Sequence, residues 1–350
     1  MSIVYFTFLN DKMNYFHYGQ PFTLETGEVL PELTIAYHSY GKLNETRNNV
    51  VWICHALTAN SDAEKWWPGM IGKGSVLDPE KYFIICANIL GSCYGTTGPL
   101  STDPNTGEPY YNRFPLFTIR DMVKAHQLLK ESLNINRIHL LVGGSMGGYQ
   151  ALEWCVMENE LIERLFLIGS SAQESPWGIA IHTAQRLAIE ADSSWGQHSA
   201  TAGQKGLKAA RAMAMLVYRN YAVYSMKQNE ENHEKIDGFK ASSYIDYQGD
   251  KLVKRFNAYS YWYLSKALDT HNIARGRAHT TDEVLNGLKQ KTLVIGITSD
   301  LLFPLDEIKH LAEEIPGTSF HTIHSSYGHD GFLTEHAVIS KYLAEWLNAN

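Results

Sequence analysis

Residues 138–148 read Ile138-His139-Leu140-Leu141-Val142-Gly143-Gly144-Ser145-Met146-Gly147-Gly148. An apolar, strand-like run enters Gly-x-Ser-x-Gly, and residues 149–157 continue with a helical pattern. Strand, sharp turn and helix form the setting that a nucleophilic serine requires. Glycines flank such a serine because its backbone is strained and neighbouring elements approach too closely for Cβ atoms. The turn also sets Ser145 at a helix N-terminus, where free N–H groups and the helix dipole stabilise negative charge beside a reacting carbonyl. A phosphate cradle or a plain packing turn would use similar glycines, but the dinucleotide spacing Gly-x-Gly-x-x-Gly is absent.

Outward from this turn, short apolar runs rich in β-branched residues alternate with longer helical patterns. Strands are expected at 33–37, 50–54, 82–87, 138–143, 165–169, 292–297 and 319–323. That rhythm predicts an α/β fold with a mostly parallel sheet flanked by helices. Loops lie between the early strands; in 91–111, Pro99, Pro104 and Pro109 exclude a regular helix. Between 169 and 292 the strand rhythm stops, and residues 184–277 read as several helices rich in Ala, Met, Tyr and Arg. A connection this long needs structure of its own. The expected organisation is a core in two parts, 1–172 and 291–350, with a helical lid inserted at 173–290 over the C-terminal edge of the sheet.

An activated serine needs a base and an acid to orient it, in the chain order Ser, Asp or Glu, His that the α/β-hydrolase fold uses. Asp300 follows the 292–297 strand, and His329 lies in the loop Ser325-Ser326-Tyr327-Gly328-His329-Asp330-Gly331 after the last strand. Asp300 is expected to hold the His329 ring in the useful tautomer, so that the other nitrogen takes the Ser145 proton. Taken alone, Asp300 could be a turn or cap residue and His329 any satisfied histidine. Order, strand-end placement and the Ser145 turn together make them a triad. The oxyanion hole is expected from the backbone N–H of Met146 and of Leu57 in Cys54-His55-Ala56-Leu57-Thr58. His55 is expected to brace that loop.

Composition narrows the function. Apolar residues make up 44% and charged residues 19%, as in an ordinary globular protein. A formal net charge of −7 without a dense Lys/Arg block predicts no nucleic-acid partner. No apolar run nears the ~20 residues of a membrane helix, and residues 1–14 lack the pattern of a secretory leader. Cys54, Cys86, Cys93 and Cys155 show no C-x-x-C spacing and read as reduced thiols. A cytoplasmic protein is expected. There is no His-Glu-x-x-His metal motif, and Gly69-Met70-Ile71-Gly72-Lys73-Gly74-Ser75 lacks the P-loop spacer, so neither a bound metal nor a nucleotide loop is expected.

With these residues in place, the chain resembles the homoserine O-acetyltransferase family within the α/β-hydrolase superfamily. The likeness runs from about residue 50 to 333. It includes His55-Ala56-Leu57-Thr58, Trp66-Trp67, Gly91-Ser92-Cys93-Tyr94-Gly95-Thr96-Thr97-Gly98-Pro99, Thr118-Ile119-Arg120-Asp121-Met122, the 143–148 turn, Tyr247-Gln248-Gly249-Asp250-Lys251 and Tyr327-Gly328-His329-Asp330. The resemblance implies ping-pong transfer of an acyl group from acetyl-CoA, a co-substrate rather than a permanently bound cofactor, to the hydroxyl of L-homoserine in methionine biosynthesis. It further implies that Arg211 binds the amino-acid carboxylate, that Asp330 binds its ammonium, and that the protein is a homodimer through its lid helices. Spacing alone does not select Arg211 over Arg186 or Arg275. Exposed aromatics expected at 218–224 and 259–263 suit a dimer contact or the lining of a substrate tunnel. Residues 59–64 and the lid around 192–208 depart from the family pattern, so succinyl-CoA as donor and serine as acceptor stay open, behind them an esterase, a thioesterase or a non-catalytic binding module.

Overall fold

A computed structural model of the chain describes residues 13–349, so most of the 1–14 stretch expected to carry no leader lies outside them. The chain opens with β1 (Asn14–Tyr18), a small hairpin of β2 (Phe22–Thr23) and β3 (Val29–Leu30), β4 (Leu33–Tyr40) and β5 (Val50–Cys54). Then come α1 (Ala63–Trp66), β6 (Phe83–Ala87), α2 (Ile119–Ser132), β7 (Ile138–Gly144), α3 (Met146–Met157) and β8 (Arg164–Ile168). Helices α4 (Pro176–Glu190), α5 (Gln204–Tyr218), α6 (Tyr221–Lys227), α7 (Lys240–Val253), α8 (Ala258–Asp269) and α9 (Thr281–Leu285) separate β8 from β9 (Lys291–Ile297). The chain closes with α10 (Leu305–Glu314), β10 (Ser319–Ile323), α11 (Gly331–Thr334) and α12 (His336–Ala349).

The main sheet has the order β1-β4-β6-β5-β7-β8-β9-β10. Pairing is antiparallel from β1 to β6 and parallel from β6 to β10. The α/β expectation therefore holds, with β5 and β7 at the centre. Both faces are covered, and this explains why the central strands read as continuous apolar runs. Along β5, Val50, Trp52 and Cys54 enter one core cluster while Val51 and Ile53 enter the other. The chain leaves β5 toward β6 and leaves β7 toward β8, in opposite directions, so their C-terminal loops diverge and open a crevice. Among the described residues no helix is long and apolar enough to cross a membrane.

Strand β1 and the hairpin β2–β3 were not expected. Asn14–Tyr18 is a half-exposed edge strand that mixes aromatic and polar residues, with no apolar run to announce it. The aromatics at 259–263 correct a second expectation. Tyr259, Tyr261 and Tyr263 are buried, and their hydroxyls donate to Gln197 O, Gln185 Oε1 and Asn112 O, so the first two bond within the insertion, the third reaches the core segment, and none offers a contact surface.

Ion pairs fasten the returning end of the insertion to the core. Glu153 on α3 accepts from Arg120 Nε at 2.8 Å and from Arg277 Nη1 at 2.9 Å, while Glu25 accepts from Arg120 Nη1 and Arg275 Nη2, each at 2.7 Å. Burial would raise the Glu153 carboxyl, but Arg277 and Arg120 outweigh it and hold its pKa below the ordinary value. Its contribution is therefore present above the usual carboxylate range and is lost as pH falls through the lowered pKa. Glu153→Gln leaves two guanidiniums short of a buried partner and is expected to cost about 3 kcal/mol in urea unfolding. Glu160→Gln, which breaks an exposed pair with Lys289, is expected to cost under about 0.5 kcal/mol in the same experiment.

Candidate active site

Ser145 sits between β7 and α3 with φ 55° and ψ −129°, a conformation that costs energy for any residue with a Cβ. Its N–H donates to Ile168 O at 3.1 Å and its carbonyl accepts from Gly148 N at 2.8 Å. Packing on β5 enforces the turn: a Cβ on Gly147 would lie 2.0 Å from the Cys54 carbonyl oxygen. The first turn of α3 thus rests on the end of β5, which brings the 55–58 loop beside Ser145. Among the described residues, neither Leu57 N–H nor Met146 N–H donates a hydrogen bond, so both are open to an incoming acceptor.

Asp300 and His329 come from separate loops, after β9 and β10, and meet in a buried pair. His329 Nδ1 lies 2.7 Å from Asp300 Oδ2, while Asp300 Oδ1 accepts from Leu302 N at 2.8 Å and Phe303 N at 2.9 Å. Both carboxylate oxygens are therefore satisfied, and the aspartate fixes His329 with Nδ1 protonated and Nε2 free to act as a base. The rings of Phe303, Phe332 and Tyr218 pack around the imidazole at 5.2–5.7 Å. Burial by itself would lower the His329 pKa; the charge and hydrogen bond of Asp300 outweigh it and leave the pKa above the ordinary value.

Ser145 and His329 line one cavity of about 430 Å³, together with Leu57, Arg211, Asp330 and Trp66 among others. Sequence-predicted residues from three separate loops (Leu57; Ser145; His329 and Asp330) and from helix α5 (Arg211) thus line one cavity, with Asp300 behind His329. Arg211 Nε is buried without a hydrogen-bond partner among the described residues, and its guanidinium carbon lies 5.6 Å from the centre of the Tyr218 ring. The structure separates it from its rivals. Arg186 is paired with Asp269 and Ser265, and Arg275 with Glu25, leaving Arg211 as the one of the three that faces the cavity.

Asp330 is not free. Its Oδ2 is 2.8 Å from Arg219 Nε. Sequence reasoning missed Arg219, which caps the C-terminal end of α5 with an extended backbone, eight residues after Arg211. The same wall carries Gln248, Lys251 and Arg255; Arg255 donates to Thr58 O and Tyr94 Oη. A smaller cavity of about 200 Å³ adjoins the first through Arg219 and Gln248. His55 braces its loop as expected: Nε2 accepts from Ile89 N at 3.2 Å, Nδ1 lies 2.9 Å from Ala56 O, and burial pushes its pKa down to about 4, so the ring is neutral. Asp282, His310 and Glu314 are close enough together to hold a cation, but none of them lines this cavity.

Known proteins with this arrangement point in one direction. A family model described as alpha/beta hydrolase fold matches residues 49–336. Homoserine O-acetyltransferase of Cyclobacterium marinum is 44% identical over 335 residues, covering 96% of this chain and 95% of the relative. The crystal structure of homoserine O-acetyltransferase from Bacillus anthracis superposes with a TM-score of 0.89 at 28% identity, covering 96% and 97% of the two chains. The acetyl esterase MekB, at 24% identity and a TM-score of 0.86 with 96% and 97% coverage, shares the fold alone. The chain belongs to the homoserine O-acetyltransferase family of α/β-hydrolase-fold acyltransferases.

Proposed function

We propose that the chain transfers an acetyl group from acetyl-CoA to the side-chain hydroxyl of L-homoserine through an acyl-Ser145 intermediate. The observation that carries this reading is the cavity itself, where a buried Asp300–His329 pair and a strained Ser145 share space with an unpaired arginine and a carboxylate. Ser145 Oγ gives its proton to His329 Nε2 and attacks the thioester carbonyl, while the Leu57 and Met146 N–H groups hold the oxyanion. The C–S bond breaks, and the proton on His329 passes to the departing thiolate. His329 then takes the homoserine hydroxyl proton as that oxygen attacks the acyl ester, and the proton returns to Ser145 as its C–O bond breaks. Arg211 holds the amino-acid carboxylate and Asp330 its ammonium. A hydrolase has no use for this pair of opposite charges, and that favours an amino-acid acceptor over water.

The free thiols Cys54, Cys86, Cys93 and Cys155 and a CoA donor fit a cytoplasmic reaction. The lid supports a homodimer by its outer face, where Leu216 is 60% exposed, Tyr221 86% and Met226 61%.

Three outcomes test this reading. Purified protein with acetyl-CoA is expected to release free thiol, detected with a thiol reagent, far faster once L-homoserine is added. Ser145→Ala should lower that rate about 10⁴-fold or more. Equal release without homoserine would mean hydrolysis, and faster release from succinyl-CoA would change the acyl group. Because the base must be neutral and the His329 pKa is raised, kcat/KM should climb with pH and reach half its maximum above about pH 6.5. A half-maximum well below that value would remove Asp300 as the influence on the base. For assembly, Leu216→Asp combined with Met226→Asp should convert a sedimenting dimer into the 39.5 kDa monomer; a wild-type protein that already sediments as monomer would end the dimer reading.

A further inference from the structure

Helix α5 and its C-cap bring two arginines to the cavity, and they are not in the same state. The Nε of each is buried without a hydrogen bond among the described residues, but Arg219 Nε stands 2.8 Å from Asp330 Oδ2 as an ion pair, whereas Arg211 has no ion pair among them. The side chains of Arg219 and Asp330 are only 20% and 14% exposed, so this pair is screened far less than a surface bridge. The Arg219 guanidinium is also held from the side. It lies 5.1 Å from the centre of the Tyr327 ring, whose hydroxyl accepts from Lys227 Nζ at 2.7 Å. The backbones are in contact as well: Gly328, at φ 63°, would place a Cβ 3.0 Å from Tyr218 O and 3.1 Å from the Arg219 carbonyl carbon. Only a glycine lets the end of α5 sit directly on the loop that presents His329 and Asp330.

We infer that Arg219 is a positioning residue for the acceptor: it pairs with Asp330 Oδ2, so that Oδ1 is the oxygen presented to a substrate ammonium. This rests on the proposed assignment of Asp330 as the ammonium site. Around Asp330 stand Arg219, Arg211, Tyr218 and Tyr224 from the lid and His329 and Asp300 from the core. Burial prevails and leaves the Asp330 carboxyl above its ordinary pKa; Arg219 is the largest influence pulling it back, and Arg211 and His329 add smaller ones. Without Arg219 the carboxyl would take up a proton at higher pH and lose its grip on a cation. The two arginines thus divide the task, Arg211 facing the acceptor's carboxylate and Arg219 preparing the group that faces its ammonium.

The test compares wild type, Arg219→Met and Arg219→Lys in two reactions. One is transfer from acetyl-CoA to L-homoserine. The other is the acylation burst with p-nitrophenyl acetate, a neutral ester without an ammonium. In Arg219→Met the KM for homoserine should rise about 10- to 100-fold, the worth of a charged hydrogen bond, while the burst rate changes much less. That KM should improve as pH rises, with a midpoint above the wild type's, because the uncompensated carboxyl must first ionise. Arg219→Lys should restore part of the affinity and part of the pH midpoint. An equal loss in both reactions, or a homoserine KM that is unchanged and insensitive to pH, would overturn the inference. If wild type itself shows no homoserine-dependent thiol release, the proposed function fails instead.

Discussion

Everything in the cavity depends on the contact between Gly147 and the carbonyl of Cys54. Ser145 occupies a backbone region that unconstrained chains avoid, and nothing in its own side chain stabilises that choice. The conformation persists because β7 delivers the chain into a space bounded by β5, β8 and α3, each fixed by fully buried packing. Trp52 on β5 meets Trp154 on α3 edge-to-face at 4.9 Å, so strand and helix are locked together two turns below the serine. The same contact sets the separation between the Met146 N–H and the loop holding Leu57. A larger residue at 147 would move the nucleophile and the two backbone donors apart together.

Burial in the cavity sets the electrostatics, and the two aspartates meet it differently. Asp300 is almost fully enclosed, yet two backbone N–H groups and an imidazole satisfy its oxygens, so it acts as a fixed charge that orients His329. Among the described residues no backbone N–H donates to the Asp330 carboxylate, which pairs instead with a side chain from another part of the chain. A carboxylate held by backbone resists change when a ligand enters; one held by side chains can share its charge with an incoming cation. That difference suits one aspartate to steering a base and the other to meeting a substrate.

The parts of the fold legible in the sequence were those whose signal is local. Val50–Cys54 was placed to the residue because a buried strand excludes polar side chains at every position; Ser319–Ile323, only partly buried, was placed as well on its mix of aromatic and β-branched residues. The Ser145 turn, Asp300 and His329 were legible because each stands at a strand end in a fixed chain order. What escaped was pairwise. Asn14–Tyr18 becomes a strand only because β4 offers it an edge. Tyr259, Tyr261 and Tyr263 look like surface aromatics until their hydroxyl partners, far away in the chain, are known. Arg219 could have been noticed from its spacing to Arg211, but its pairing with Asp330 spans the insertion and most of the second core segment, and composition carries no trace of that.

The origin of the cavity residues bears on what the lid is for. On the proposed reading, Ser145, Asp300 and His329, with the Leu57 and Met146 backbones, would supply acyl chemistry for any acceptor, water included, and all come from loops of the main sheet. The groups that would distinguish an amino acid from water come from α5 and its C-cap, with Asp330 from the loop after β10. Arg211 and Tyr218 stand seven residues apart, about two helical turns, so they project from one side of the helix, and Arg219 follows as its extended C-cap. The Arg211 guanidinium reaches along that side to the Tyr218 ring, and Tyr218 in turn packs on His329. Because α5 ends against the backbone at Gly328, the helix cannot slide relative to the catalytic loop without breaking that contact. The span between Arg211 and Asp330 is therefore fixed by the same packing that positions the base, and a zwitterion that bridges the two would be delivered with its side-chain hydroxyl in a constrained place relative to His329. On the proposed reading, acceptor choice and base alignment would then be one structural property of the α5 terminus.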